Sequence, residues 1–177
     1  MTAPRPLGVH NIPKQGAMHL AWRYWVYTRA HDEPAIRPVF RQACARSCLF
    51  YLNTFVWIKE PRKIQSTLPF ATFDFQDDMV NALVDRIRRS ATETEPGKVY
   101  DVLTEKSRGM GVTWTCLAVF DWFWRFHQGC EFLCISEKED KVDRAGDLAP
   151  LFQKLDFVEE RVPVAVHDAV LQLNPNE

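Results

Sequence analysis

The sequence lacks an excess of charge of either sign, because 22 Lys and Arg residues stand against 23 Asp and Glu residues, for a net charge of −1. A balanced chain has no overall attraction to nucleic acid or to an anionic membrane, so any DNA contact has to come from a local patch. The sequence also lacks an apolar run long enough for a bilayer span and a basic-then-apolar signal segment at its beginning. These absences predict a soluble intracellular protein.

A regular cysteine framework is missing as well. The five cysteines are an odd number without regular spacing, and three of them stand in apolar runs, which predicts reduced core residues in a cytosolic setting. Cys44 and Cys48 are four residues apart on a predicted helix, but no nearby histidine or second cysteine pair completes a zinc set. The cysteines therefore indicate neither a disulfide scaffold nor a metal site.

The sequence contains a predicted helical N-terminal segment, followed by a part in which predicted strands and helices alternate. A chain of 177 residues, 46% of them hydrophobic, is long enough for one well-buried core. Residues 1–62 are predicted to form an N-terminal arm and a helical segment, with one helix over residues 37–52. Residues 63–177 are predicted to form the main α/β part, with an amphipathic helix over residues 77–89 and a further helix over residues 147–159.

The centre of the pattern is residues 99–114, which run from a β-type segment through glycines into a helical pattern that continues over residues 117–126. Residues 131–136 are a second apolar run and predict a second buried strand. Strand, crossover helix and strand in this order predict a βαβ unit with parallel strands. The glycine-containing turn then lies at the carboxyl end of the first strand, where open α/β sheets bind ligands.

The turn has the layout of a phosphate-binding loop. Measured against the pattern G-x-x-x-x-G-K-[ST], residues 106–113 keep Gly111 and Thr113 but have Lys106 in place of the first glycine and Val112 in place of the lysine. Lys106 has a flexible stem and could reach the phosphates from the opposite side of the turn, and Arg108 adds a planar donor fork. The alternative is an ordinary glycine turn between strand and helix with a solvated basic pair.

Several segments together resemble the ATPase domain of the large terminase subunit of tailed bacteriophages, the motor that packages DNA into capsids. The run Glu105-Lys106-Ser107-Arg108-Gly109-Met110-Gly111-Val112-Thr113-Trp114 is similar to that family's deviant Walker A motif, in which the lysine opens the loop. Phe73-Asp74-Phe75-Gln76 resembles its glutamine motif. Residues 53–57 with 61–62 resemble an N-terminal signature, and residues 136–140 resemble the segment after the second strand.

The resemblance implies a P-loop NTPase fold with an incomplete RecA-like parallel sheet core behind the N-terminal helical segment. It implies ATP and Mg²⁺ as ligands, with Lys106 on the β- and γ-phosphates and Thr113 on the magnesium ion. Arg108 would act as a finger on the transferred phosphoryl group, and Gln76 would read adenine. The remaining loop residues would supply the backbone cradle: Ser107, Gly109, Met110, Gly111 and Val112.

In that family ATP hydrolysis drives DNA translocation in the host cytoplasm. The implied partners are double-stranded DNA, the portal protein and the small terminase subunit, in a ring on the capsid and away from membranes. The second acidic motif and the nuclease domain are not visible, and Glu159-Glu160 follows a predicted helix instead of a strand. We therefore expect the front part of a larger ATPase, which binds nucleotide weakly and hydrolyses it poorly or not at all. The alternatives are another RecA-like nucleic-acid ATPase and a non-catalytic adaptor module.

Overall fold

The protein is represented by a computed structural model that describes residues 12–60, 64, 66–92, 100–163 and 166. It divides into two compact units, one formed by residues 1–71 with residues 161–177 and the other by residues 72–160. Among the described residues, no helix combines the length and the hydrophobicity needed to cross a lipid bilayer.

The first unit is built from three helices and a small hairpin. Helix α1 is Gly16–Asp32, followed by a short 3-10 turn at Pro34–Ile36, and helices α2 and α3 are Arg37–Arg46 and Cys48–Phe55. Strand β1, Trp57–Lys59, pairs antiparallel with strand β2, Thr67–Pro69, with Ile58 opposite Leu68. Proline is tolerated in β2 because β2 is an edge strand, where a missing N–H group need not interrupt the ladder.

The predicted single helix over residues 37–52 is broken at Ser47. The backbone there is extended (φ −140°, ψ 110°), and the Ser47 hydroxyl accepts a hydrogen bond from the Phe50 N–H at 3.1 Å. A serine in this position begins a new helix because its oxygen satisfies one of the N–H groups that a first turn leaves without a partner. Helix α3 is then buried on nearly every side, with Phe50, Tyr51 and Phe55 in the core and the polar residues Asn53 and Thr54 buried beside them.

Polar side chains of α1 bind the end of α3. The His19 ring nitrogen Nε2 lies 2.6 Å from the Asn53 carbonyl oxygen, and Arg23 donates to the Val56 carbonyl at 2.9 Å. The Arg23 guanidinium also lies 4.4 Å from the centre of the Trp57 ring. These buried contacts join α1 to the junction of α3 and β1, thirty or more residues along the chain.

The second unit is helical. Helix α4 is Asp74–Thr92, α5 is Val112–Phe126, α6 is Glu139–Val142 and α7 is Leu151–Glu159, and α5 packs against both α4 and α7. Its core contains Val80 of α4, Trp122 of α5 and Phe157 of α7. The Arg88 guanidinium lies over the Trp122 ring at 5.4 Å, so one arginine of the basic end of α4 covers a core aromatic residue.

The predicted fold class is wrong. Among the described residues the chain is mostly helical, and its only sheet is the two-stranded antiparallel pair of β1 and β2, so the parallel RecA-like core of a P-loop NTPase is not formed. The β-type segment at the start of residues 99–114 and the predicted strand at residues 131–136 have no regular secondary structure where they are described, and Val99 lies outside the described residues. A β-strand is stabilised by hydrogen bonds to a neighbouring strand, and no described residue forms a ladder with either segment.

Candidate phosphate-binding loop

Helix α5 begins without a side-chain cap. Its N-cap residue is Gly111, in the left-handed region at φ 74° and ψ 7°, and the first backbone bond of the helix runs from the Thr115 N–H to the Gly111 carbonyl at 3.0 Å. Within the described part of the chain, the N–H groups of Val112, Thr113 and Trp114 have no hydrogen-bond acceptor. Three donors at the positive end of a 15-residue helix form a site that favours an anion.

The loop before the helix depends on its two glycines. Gly109 has φ 86° and Gly111 has φ 74°, which are values that side chains with a Cβ rarely adopt. A Cβ on Gly111 would also lie 2.8 Å from Gln76 Nε2, closer than real Cβ atoms approach other heavy atoms. Gly111 therefore has two independent reasons to be glycine, its backbone conformation and the close approach of Gln76.

Gln76 connects the loop to helix α4. Its Oε1 atom accepts a hydrogen bond from the Phe73 N–H at 3.0 Å, and its Nε2 atom donates to the Met110 carbonyl at 2.9 Å. Phe73 is the residue before the helix, and its carbonyl accepts the Gln76 and Asp77 N–H groups of the first turn. The bond from the Phe73 N–H to the Gln76 side chain is therefore one of the two bonds of a capping box. The side chain is only 3% exposed. One amide thus caps α4 and holds the loop.

This geometry brings together two of the sequence-predicted segments. The glutamine motif and the loop are 34 residues apart along the chain, and they meet through the Gln76–Met110 hydrogen bond. Both ends of the amide are used inside the protein, so the structure gives Gln76 a positioning contact with the loop. The reading of adenine by Gln76 stays a prediction.

The charged residues of the loop are exposed. Lys106 and Arg108 make no hydrogen bond or ion pair with any other described residue, and Ser107 and Thr113 are also open to solvent. The charges of Lys106 and Arg108 are therefore not neutralised by another described residue. Thr113 presents its hydroxyl in the first turn of α5, beside the three N–H groups that have no acceptor.

A magnesium ion bound at the start of α5 would have few protein ligands. In the described residues no group of three or more His, Cys, Asp or Glu side chains is arranged to hold a metal ion. Mg²⁺ commonly keeps several waters and binds through one or two protein oxygens together with substrate phosphates. The Thr113 hydroxyl is compatible with that mode, provided that a phosphate supplies the other oxygens.

The structure adds one residue that the sequence does not indicate. Lys154 of α7 lies 6.0 Å from the centre of the Trp114 ring in the first turn of α5. Its ammonium donates to the Ala149 and Pro150 carbonyls, and partial burial lowers its pKa against the opposing effect of Asp147. The contact depends on the packing of α7 against α5, so no local pattern around residue 154 could have predicted it.

The cysteines take no part in this site. All five are free thiols, and Cys44 and Cys48 are buried in the first unit. Burial, and then the neighbouring Cys48, raise the pKa of Cys44 well above its usual range, so its thiol stays protonated at neutral pH.

Comparison of the chain with protein-family models, with curated proteins and with solved structures finds no match.

Proposed function

We propose that residues 105–113 bind the phosphates of ATP, and that the chain is the ATP-binding part of a DNA-packaging motor similar to the large terminase subunit of tailed bacteriophages. The observation that supports this best is the 2.9 Å hydrogen bond from Gln76 to the Met110 carbonyl. It joins two of the segments that carry the resemblance, at a helix N-terminus whose first N–H groups are unsatisfied. Phosphate binding at this site uses the loop and the N-terminus of α5 and does not itself require a parallel sheet.

In this proposal each loop residue has a role that its chemistry suits. The N–H groups around Gly109, Gly111 and Val112 surround the phosphate oxygens, since backbone donors at a helix start favour a dense negative charge. Lys106 contributes a mobile point charge for the β- and γ-phosphates, and Arg108 contributes a bidentate fork for the transferred group.

The roles of the remaining residues follow from their positions. Ser107 and Met110 belong to the cradle, and Thr113 would hold Mg²⁺, which supplies countercharge to the phosphates when it is bound. Gln76 keeps the Met110 carbonyl turned away from the phosphates by engaging it with its own amide. A carbonyl oxygen turned into the cradle would repel the anion, so this contact supports binding without touching the ligand.

Hydrolysis and transport belong to the full-length protein in this proposal. ATP turnover there would move double-stranded DNA, in a ring that docks on a portal protein and cooperates with a small terminase subunit. The segment described contains no acidic pair at the end of a strand, and Glu159 ends helix α7. We therefore expect the 177-residue chain to bind nucleotide and to hydrolyse it poorly or not at all.

The proposal is tested by equilibrium binding of a fluorescent ATP analogue with Mg²⁺ to the wild type, Lys106→Ala and Arg108→Ala. We expect Lys106→Ala to weaken binding about 10-fold or more, because a hydrogen bond to a charged group contributes roughly 1.5–3 kcal/mol. Lys141→Ala, an exposed lysine of α6, is the matched control and should bind as the wild type does.

Two results would overturn the assignment of the loop. The first is equal affinity of the wild type and Lys106→Ala, and the second is an equal loss in Lys106→Ala and in the Lys141→Ala control. Circular dichroism of each variant shows whether a loss of binding reflects a loss of helix. A wild type that binds no nucleotide but still binds a portal ring would favour the adaptor alternative.

A further inference from the structure

We propose that a cavity between α5, residues 130–134 and α7 binds a small organic cation, an ammonium ion that carries apolar groups. The cavity has a volume of about 450 Å³ and lies wholly within the second unit. This volume is within the range of roughly 300–1,000 Å³ that is typical of small-molecule sites. None of the residues that line it belongs to the loop at residues 105–113, so this proposal is independent of ATP binding.

Aromatic rings form much of its wall. Phe120 and Phe132 are stacked, with ring centres 4.5 Å apart and planes 12° from parallel. Trp124 of α5 and Phe152 of α7 also line the cavity, and both remain partly exposed to solvent. Indole and phenyl faces attract cations through the ring quadrupole, and tryptophan does so most strongly.

Carboxylates supply the charge. Glu131, Asp156 and Glu159 line the cavity, together with Asp121, whose carboxylate pairs with Arg125 at 2.8 Å. The lining contains no lysine or arginine, and the Arg125 guanidinium lies 5.9 Å from the Trp124 ring centre. The charged side chains that line the cavity are therefore all acidic.

The negative potential is also reflected in Asp156. Partial burial raises its pKa, and the carboxylates of Asp143, Glu159 and Glu160 raise it further. Gln153 donates to Asp156 at 3.4 Å and to Asp143 at 3.2 Å, but it brings no positive charge to the group. A cation placed between these carboxylates would relieve their mutual repulsion.

The aromatic rings and the carboxylates together favour one class of ligand, a cation that carries apolar groups. An anion is disfavoured by the carboxylates, and a neutral apolar molecule would leave their repulsion unchanged. A bare metal ion would gain nothing from four aromatic rings, and no metal-holding group is found among the described residues. An ammonium ion with apolar substituents satisfies both features, with its charge near Asp156 and Glu159 and its carbon atoms against Phe132 and Trp124.

The test is isothermal titration of the full chain with choline and with butylammonium, compared with the neutral isostere of choline in which carbon replaces nitrogen. We expect at least one of the two cations to bind about tenfold more tightly than the neutral isostere, since ion–ring and ion–carboxylate contacts act on the charge. Equal affinity of the cations and the isostere, or no binding of either cation, overturns the proposal.

Variants locate the site. Asp156→Asn with Glu159→Gln should weaken cation binding about tenfold, and Trp124→Ala should weaken it several-fold, since both changes remove attraction on the order of 1 kcal/mol or more. Glu139→Gln with Asp140→Asn in α6 is the matched control, because it removes two exposed charges outside the cavity. An equal loss of affinity in the control would show general surface attraction and would overturn the proposal. These side chains are exposed, so the variants are expected to fold.

Discussion

Each of the two units buries one arginine among its described residues, and the two are compensated in different ways. Arg23 in the first unit is 3% exposed and bonds to backbone carbonyls of residues thirty or more positions away. Arg125 in the second unit is also 3% exposed, but it pairs with the carboxylate of Asp121, one turn earlier on the same helix. The Arg23 charge bonds to residues distant in the chain, whereas the Arg125 charge is paired within helix α5.

The difference has an energetic consequence. A buried charge without a carboxylate partner pays a desolvation cost, and burial accordingly lowers the pKa of Arg23 against the opposing effect of Tyr27. A buried ion pair offsets that cost by Coulomb attraction, but each partner then depends on the other. We therefore expect the two arginines to respond differently when a neighbouring residue is removed.

The largest expected effect comes from Asp121→Ala. This change leaves the Arg125 charge buried without its carboxylate partner, and breaking a buried pair in this way costs about 3–5 kcal/mol of unfolding free energy. Denaturant unfolding followed by circular dichroism measures the loss. The double variant Asp121→Ala with Arg125→Met should recover most of it, because the uncompensated charge is gone. A loss of unfolding free energy below about 1 kcal/mol in the single variant would contradict this, because it is no larger than the contribution of a surface salt bridge.

Arg23→Met should cost less, about 1–3 kcal/mol, the size expected for buried hydrogen bonds to a charged group. The effect is limited because each carbonyl keeps another donor: the Val56 oxygen accepts from the Phe70 N–H at 3.0 Å, and the Asn53 oxygen lies 2.6 Å from His19. Thermal unfolding compares this variant with Arg29→Met, which removes a partly exposed arginine paired with Glu33. Equal losses in the two variants would show that the buried position of Arg23 contributes nothing extra.

The next effect is a loss of stability in acid that centres on His19. Burial lowers the pKa of His19, with a further lowering by Arg23 and an opposing effect of the Asn53 carbonyl. The folded form therefore binds fewer protons than the unfolded chain, so this contribution is complete above the unfolded pKa of 6.5 and is lost as the pH falls toward the folded pKa. His127 in the second unit has its pKa lowered by burial and by Arg88, which adds in the same direction.

This pH dependence is measured as the difference in Tm between about pH 7.5 and about pH 5.5, a window that spans the ordinary histidine pKa. His19→Gln should reduce the difference, whereas His31→Gln, which changes an exposed ring, should not. A difference that is the same in the wild type and in His19→Gln would assign the acid sensitivity to other groups.

The smallest expected effect is at the outer face of residues 131–136. Leu133 is 83% exposed and Ile135 is 79% exposed, so the double change to serine removes almost no burial. We expect the unfolding free energy to change by less than about 0.5 kcal/mol, as for other surface substitutions. A loss of 2 kcal/mol or more, roughly that of burying a large aliphatic side chain, would mean that these side chains are covered in solution.

Helices α4, α5 and α7 were predictable from the sequence and the sheet was not, because the hydrogen bonds of helices and sheets differ in range. The apolar spacing in residues 77–89, 117–126 and 147–159 predicts α4, α5 and α7, whose backbone bonds close within four residues. Residues 131–136 have strand composition, but a ladder needs a partner that composition does not identify. For the same reason β1 and β2 were missed, since each is three residues long and pairs across intervening residues.

The candidate loop was predictable in part. Gly109 and Gly111 adopt the left-handed backbone that a glycine turn before a helix suggests, and the resemblance placed Gln76 in the same site. The partner of Gln76, a backbone carbonyl, has no side-chain signature, so the capping and holding roles of its amide needed three-dimensional positions. The cavity beside α5 was missed for a similar reason, because its rings and carboxylates come from three separate segments.

The Gln76–Met110 hydrogen bond also has a consequence for the folding of the loop, because it joins residues that are far apart in the chain. Helices α4 and α5 consist of local contacts, which form quickly, whereas a contact between residues 34 apart must wait until the intervening chain has closed. We therefore expect the loop geometry to form late in folding, after the local hydrogen bonds of the two helices. A ligand that binds the cradle would select the completed structure and so stabilise it by mass action.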